Sequence, residues 1–321
     1  MTFAGSPDRV EARLVPERGY EFDRFSISGL PRRPGLDLLR ALGRAAAAPA
    51  ACRRILARRR PDVVLGGGGY VAGPMVVAAW IRRTPAALTE ADAHLGLANR
   101  LAAPFARRVF LAVPVGRGGR KYRAVGRPVP AASRAVPRPE ARSRLGLPPD
   151  GPVVLVFGGS LGARLLNELA VDAWGEEGPA VIHLCGERDH EELRGRVSRP
   201  DYVLLPFLDE IGLAYGAADV AVARAGGSVW ELAAAGLPAV LVPGTFATGG
   251  HQEKNAEWFE GAGGAVIVPE TEVGRVPEVV ASLLADPEWL AAMAAAMRAV
   301  AKPDAAGVIA DELIALAAAH R

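Results

Sequence analysis

Short apolar, β-branched runs recur along this chain and are separated by longer stretches of helical spacing. The runs at 63–65, 86–89, 109–112, 153–157, 181–184, 202–205, 220–223, 239–242 and 265–268 have the length of strands. Helices are expected at 36–59, 163–174, 229–235 and 252–260, and Gly236-Leu237-Pro238 gives one of them a clean stop. Strands alternating with helices imply βαβ units and parallel sheets, here as two doubly wound α/β units. Residues 128–150 hold six prolines and no apolar periodicity, so they read as a linker between a first domain, 1–127, and a second, 151–321. The chain opens inside a strand-like Thr2-Phe3-Ala4-Gly5, with no central strand or Gly-rich turn before it.

A length of 321 residues accommodates two domains, and 50% hydrophobic with 23% charged residues is a globular composition. The two cysteines, Cys52 and Cys185, lie far apart and in no CxxC or Cys/His cluster, so neither a disulfide framework nor a zinc site is expected. The N-terminus lacks the pattern of a signal peptide, and no uninterrupted apolar stretch is long enough to span a bilayer. Charge is segregated. Residues 1–150 carry 27 basic against 11 acidic side chains, a surplus of 16; the remainder carries 11 against 24, a deficit of 13. A GC-rich coding bias accounts for 35 arginines against three lysines, but not for the segregation. The basic half is suited to a membrane surface, a polyphosphate or nucleic acid.

Five segments carry candidate chemistry, each at a strand's C-terminal end or a helix start. Gly158–Arg164, GGSLGAR, follows a strand and opens a helix, where free N–H groups and close backbone approach suit an anion. It is not a P-loop, because no GK[ST] follows. In ARAGGSVWE, Gly226, Gly227 and Ser228 would form a second anion-binding turn, and Glu231 could accept two ribose hydroxyls; the plainer reading is a Ser/Glu capping box. His251, Gln252 and Asn255 in GGHQEKNA could read sugar hydroxyls or merely cap a helix. GGGGYVAGP, with Gly68, Gly69 and Tyr70, suggests a mobile or closely approached turn. TEADAHLG places Glu90 and Asp92 at a strand end, with His94 as an ordinary cap or surface residue.

Taken together, DVVLGGGGYVAGP, LTEADAHLGLANR, AVGRPVP, VFGGSLGARLLN, PFLDEIGLAYGAADVAVARAGG, ELAAAGLPAVLVP and HQEKNA resemble, in order, the motifs of the MurG family. The resemblance implies a GT-B fold, two Rossmann-like domains facing a cleft, with the last helix packing back on the first domain. It implies inverting transfer of N-acetylglucosamine from UDP-N-acetylglucosamine to lipid I. Carried over by motif, Ser160, Leu208, Gly227, Ser228, Glu231, His251, Gln252 and Asn255 would hold the UDP-sugar, with Leu208 reading uracil through its backbone. Gly68, Gly69, Tyr70 and Asp92 would border the polyprenyl-diphosphate acceptor, and Glu90 is the candidate base. Trp80, Leu38 and Leu42, with the arginine-rich 31–60 segment, resemble a face docked on an anionic membrane at its cytoplasmic side. Without a DxD motif the resemblance implies no metal or other cofactor.

The sequence departs from the family in three places. No counterpart of the first strand and its GGTGGH loop is present, so the first domain reads as truncated, with a start upstream of Met1 as the expected cause. Pro130 stands where the family usually has Arg, and the loop after Arg224 is one residue short. A glycosyltransferase acting on diacylglycerol, and a UDP-sugar-binding chain without turnover, remain as alternatives. A nucleic-acid binder is disfavoured, since no recognition motif for it is present.

Overall fold

The computed structural model describes residues 1–27, 36–116, 118–159, 162–245 and 250–320. They form two compact units: residues 1–126 with 304–321, and residues 127–303.

In the first unit, β1 (Phe3–Gly5) and β2 (Phe22–Arg24) pair in parallel as a two-stranded sheet. A four-stranded parallel sheet holds β3 (Val64–Gly66), β4 (Ala86–Glu90), β5 (Arg108–Leu111) and β6 (Tyr122–Ala124) in that order. Helices Leu36–Arg59 and Gly69–Ile81 pack on each other. Their contact buries Cys52 and Leu56 with Val76, Leu88 and Val109. The terminal helix Ala305–Ala318 places Ile309 against Ala87, Phe110 and Val125. Its Glu312 is ion-paired with Arg108 and Arg123.

The segment 66–74 differs from the sequence reading. Gly66 ends β3 and a helix runs from Gly69 through Pro74 to Ile81. A Cβ on Gly66 would be crowded by Leu88, Ala72 and Val76, so that glycine serves packing.

The second unit is built on one six-stranded parallel sheet. Its strands are β7 (Val153–Phe157), β8 (Ala180–Leu184), β9 (Tyr202–Leu205), β10 (Val220–Ala223), β11 (Ala239–Leu241) and β12 (Ala265–Ile267). The order is β12-β11-β10-β7-β8-β9. Helices on the faces bury β7, β8 and β10 completely, which is why these strands read as unbroken apolar runs.

Residues 128–150 are folded rather than a bare linker. They contain the helix Arg138–Leu145, entered from Pro137 and closed by Gly146 in the left-handed region (φ 69°). This helix docks through Ala141 and Arg142, both buried, instead of through an apolar stripe. The Arg142 guanidinium donates to the Ala217 and Pro149 carbonyls and pairs with Asp219, whose Oδ2 also accepts from Val153 N–H. A buried arginine with its bonds met is stable there, but it gives no hydrophobic signal.

Candidate functional site

In the second unit, β7 and β10 are neighbours from which the chain leaves in opposite directions, so the loops after them flank a crevice at the strands' C-terminal ends. Open α/β sheets bind ligands at this switch point.

The loop after β7 begins with Gly158, where a Cβ would overlap Ala163. Gly162 (φ 73°) lies so close to the Cys185 carbonyl that a Cβ would overlap it too. By contrast, a Cβ on Gly159 would meet nothing within 4 Å. The loop is therefore packed tightly at Gly158 and Gly162 and open beside Gly159. Ser160 lies outside the described residues.

Behind the loop is a buried polar chain. Asn167 Nδ2 donates to the Cys185 carbonyl and to Asp189 Oδ2, both 2.8 Å. Its Oδ1 must then accept from His183 Nε2, 3.0 Å, and His183 Nδ1 accepts from the Tyr202 hydroxyl, 2.8 Å. Burial pushes the His183 imidazole down to about 3, so it is neutral, and pushes the Tyr202 hydroxyl up, so it stays a donor.

The loop after β10 leads into the helix Val229–Ala235. Ser228 makes no capping hydrogen bond there. Glu231 does not turn back to the helix start: its Oε2 accepts from Ser133 Oγ, 2.6 Å, and from the Tyr215 hydroxyl, 3.1 Å. The capping-box reading is thereby excluded. A Cβ on Gly226 would be in open space, whereas one on Gly227 would strike the Arg127 guanidinium. That cation lies directly over the turn.

Three further side chains brace these loops. Gln252 Oε1 accepts from Gly244 N–H, 2.7 Å, which leaves the amide NH2 as the donor end. Arg224 donates to the Val242 carbonyl and pairs with Glu270 at 2.5 Å. Glu270 also accepts from Thr245 N–H and Oγ; burial raises its pKa, but these bonds and Arg224 outweigh it and the net shift is downward. Asn255 is fully buried and donates to the Ala225 carbonyl, 3.1 Å. In this structure Asn255, expected at the sugar, props the glycine turn from behind. His251 opens its helix beside Gln252, and Leu208 is half-buried just after exposed Phe207.

In the first unit, Glu90 ends β4. Its Oε2 accepts from Gly96 N–H and Asn99 Nδ2, both 2.9 Å, and its Oε1 takes a long bond from Asp92 N–H, 3.4 Å. Asn99 also donates to the Thr89 carbonyl. Glu90, the candidate base of the sequence reading, thereby also clamps the 91–96 loop. Gly68 (φ 92°) starts the next helix within reach of Thr89 and Asn99, and Gly69 (φ 66°) has open space at its Cβ position. Tyr70 accepts from Arg9 Nε, 2.9 Å.

Trp80 is 57% exposed and meets Phe105 edge-on at 5.2 Å. Ile81, Leu97 and Leu101 are exposed on the same helix end and on the helix Leu97–Ala102 packed against it. Exposed Arg82, Arg83 and Arg100 adjoin them in sequence. The side chains of Leu38 and Leu42 lie outside the described residues. Among the described residues, no three His, Cys, Asp or Glu side chains gather as a metal-binding group.

Two family models match the chain: the glycosyltransferase family 28 N-terminal domain over residues 2–111 and the C-terminal domain over 153–309. A Mycobacterium bovis protein named UDP-N-acetylglucosamine–N-acetylmuramyl-(pentapeptide) pyrophosphoryl-undecaprenol N-acetylglucosamine transferase is 42% identical, with 99% of this chain and 82% of that protein covered. An Acidithiobacillus ferrooxidans protein of the same name is 42% identical over 98% of this chain and 89% of its own. The crystal structure of Acinetobacter baumannii MurG superposes with a TM-score of 0.79 at 28% identity, covering 97% of this chain and 90% of that one. The chain belongs to the MurG family.

Set against the MurG motifs, the structure brings Gly227, Ser228, Glu231 and Gln252 to the crevice end of one sheet. It adds three residues that motif reading did not single out: Arg127, Ser133 and Tyr215. Arg127 stands three positions before Pro130, in the same GRPVP motif whose MurG counterpart usually ends with Arg. Ser133 was hidden in the segment read as a linker. Tyr215 carried a weak signal, a lone polar ring in the apolar helix Gly212–Ala217.

Proposed function

We propose that this chain transfers N-acetylglucosamine from UDP-N-acetylglucosamine to undecaprenyl-pyrophosphoryl-N-acetylmuramoyl-pentapeptide (lipid I), forming lipid II for peptidoglycan with inversion at the sugar. The observation that carries this reading is the 42% identity, over 99% of the chain, to relatives named for that transfer.

The donor half supplies the recognition. Glu231 accepts the ribose hydroxyls, the Gln252 amide donates to the sugar with His251 beside it, and the residue at Leu208 reads uracil through its backbone. The diphosphate lies at the Gly227–Ser228 turn beneath the Arg127 guanidinium. As the acceptor hydroxyl oxygen bonds to the anomeric carbon, the C–O bond to the UDP diphosphate breaks, its electron pair passes to the diphosphate oxygen, and the hydroxyl proton is released to solvent. A fixed cation and backbone N–H groups at that oxygen stabilise the growing charge without reorganising. No metal is part of this proposal.

The first unit supplies the approach to the lipid. Trp80, Ile81, Leu97 and Leu101 enter the acyl boundary while Arg82, Arg83 and Arg100 meet anionic head groups. Gly68, Gly69, Tyr70 and Asp92 border the acceptor. The protein then works as a peripheral enzyme on the cytoplasmic face of the cell membrane. Among the described residues no single helix is long and apolar enough to cross it.

The test is product analysis with UDP-N-acetylglucosamine and either lipid I or diacylglycerol, with EDTA present in parallel reactions. Lipid II forms from lipid I with or without EDTA, and no glycosyl-diacylglycerol forms. Product on diacylglycerol alone would overturn the acceptor assignment, and loss of turnover in EDTA would overturn the metal-free mechanism.

A further inference from the structure

Glu231 is held in place by two protein hydroxyls. Ser133 Oγ and the Tyr215 hydroxyl both donate to the same carboxylate oxygen, Oε2. A carboxylate oxygen that accepts two bonds of fixed direction loses its freedom to rotate, and Oε1 is left to accept from a ligand.

Each donor is itself fixed. Ser133 and Tyr215 are 2% and 4% exposed. The Tyr215 ring packs against Phe157, the last residue of β7, at 6.3 Å. Burial first, and the Glu231 charge second, push the Tyr215 pKa up, so the hydroxyl keeps its proton and remains a donor. Ser133 sits in a short 3-10 turn closed by its N–H on the Pro130 carbonyl, 3.0 Å.

That turn is delivered by backbone packing. The helix Gly212–Ala217 carries glycines four positions apart, on one face. A Cβ on Gly212 would overlap the Arg134 carbonyl, and one on Gly216 would overlap the Val136 carbonyl. Val136 N–H in turn donates to the Gly212 carbonyl, 3.0 Å. Residues 134–136 therefore lie flat on this helix, and that contact sets how far Ser133 reaches.

We infer that Ser133 and Tyr215 are positioning residues that aim Glu231 at the ribose, so that the donor site selects a ribonucleotide over one lacking ribose hydroxyls. The inference rests on the reading of Glu231 as the ribose acceptor. A pre-aimed carboxylate loses little freedom on binding, whereas an unaimed one must be ordered by the ligand.

Calorimetry with UDP and with 2′,3′-dideoxyuridine diphosphate measures the selectivity as a ratio of affinities. In the full chain, Tyr215→Phe and Ser133→Ala each lower the UDP affinity several-fold and the double variant at least about 10-fold. The dideoxy ligand changes less than 2-fold, so the ratio collapses. Ser133→Thr, which keeps the hydroxyl, restores the ratio. A merely structural role would weaken both ligands alike, and a ratio unchanged in Tyr215→Phe and the double variant overturns the inference. Glu231→Ala separates the two claims: if it abolishes the ratio while the hydroxyl variants do not, only the positioning role fails. If Glu231→Ala itself keeps the wild-type ratio, the ribose reading falls and the inference falls with it.

Discussion

His183 lies in the core of the second unit and is held near a pKa of about 3 by burial. In the unfolded chain an imidazole takes up its proton near 6.5. Between these values the unfolded state binds a proton that the folded state refuses, so stability falls as the pH drops from about 6.5, by at most about 1.4 kcal/mol per unit. The acidic groups bonded nearby act lower: Asp189, held down chiefly by Arg188, loses its contribution below the ordinary carboxylate range. Urea midpoints measured at pH 7 and pH 5 should therefore differ in the wild type and differ less in His183→Gln. An equal drop in both proteins would remove His183 as the cause. Glu90 offers a second check at this scale. A general base removed by Glu90→Gln lowers kcat by roughly 100-fold or more. A loop clamp keeps part of its bonding in the amide, so kcat should fall by less than about 10-fold, with a lowered Tm. Arg127→Ala should behave in the opposite way. Removing the cation over the turn proposed to hold the diphosphate should lower kcat by about 100-fold, while the Tm changes little.

Elements repeat this logic through the backbone. Gly158→Ala places a methyl into Ala163 and forces the loop after β7 to move, which costs about 1–3 kcal/mol of stability. UDP-sugar affinity should fall with it. Gly159→Ser enters open space, but at φ 91° a side chain is strained, so it should cost less stability than overlap does. Comparing the two by thermal melts and calorimetry tells packing from conformation. The strands of the second unit were legible because a parallel sheet covered on both faces demands continuous Val, Ile, Leu and Ala. Helices Leu36–Arg59 and Val229–Ala235 stand at the expected bounds. The helix Gly69–Ile81 was not legible, because it is apolar all round and carries three glycine or proline residues. The helix Arg138–Leu145 was missed because a buried arginine stands where an apolar stripe would have announced it. β2 and β6 are three residues long, too short for any periodicity. At the candidate site, motif spacing was enough to find Glu231 but not its holders, since Ser133 and Tyr215 meet it across 98 and 16 residues.

For the whole molecule, the segregation of charge bears on the proposed membrane contact. The first 150 residues carry a surplus of 16 positive charges, while the rest carries a deficit of 13. On the proposed membrane contact, an anionic bilayer would attract the basic part and repel the acidic part, so charge would set orientation as well as affinity. Juxtamembrane arginines contribute about 1 kcal/mol each near an anionic leaflet, and salt weakens that attraction. In the same proposal exposed Trp80 and Leu101 contribute differently, through apolar area that salt does not screen. Co-sedimentation with phosphatidylglycerol-containing vesicles should therefore lose affinity steeply between 50 and 300 mM salt in the wild type (salt range on the order set by Debye screening). Trp80→Ser with Leu101→Ser should lower binding at every salt concentration and leave the slope unchanged. Arg82→Gln with Arg83→Gln should flatten the slope. Because both sets of substitutions lie in the first unit, UDP affinity should stay at the wild-type value in each, which separates a lost membrane contact from a lost fold. Binding that ignores both salt and Trp80 would mean that some other face of the molecule makes the contact.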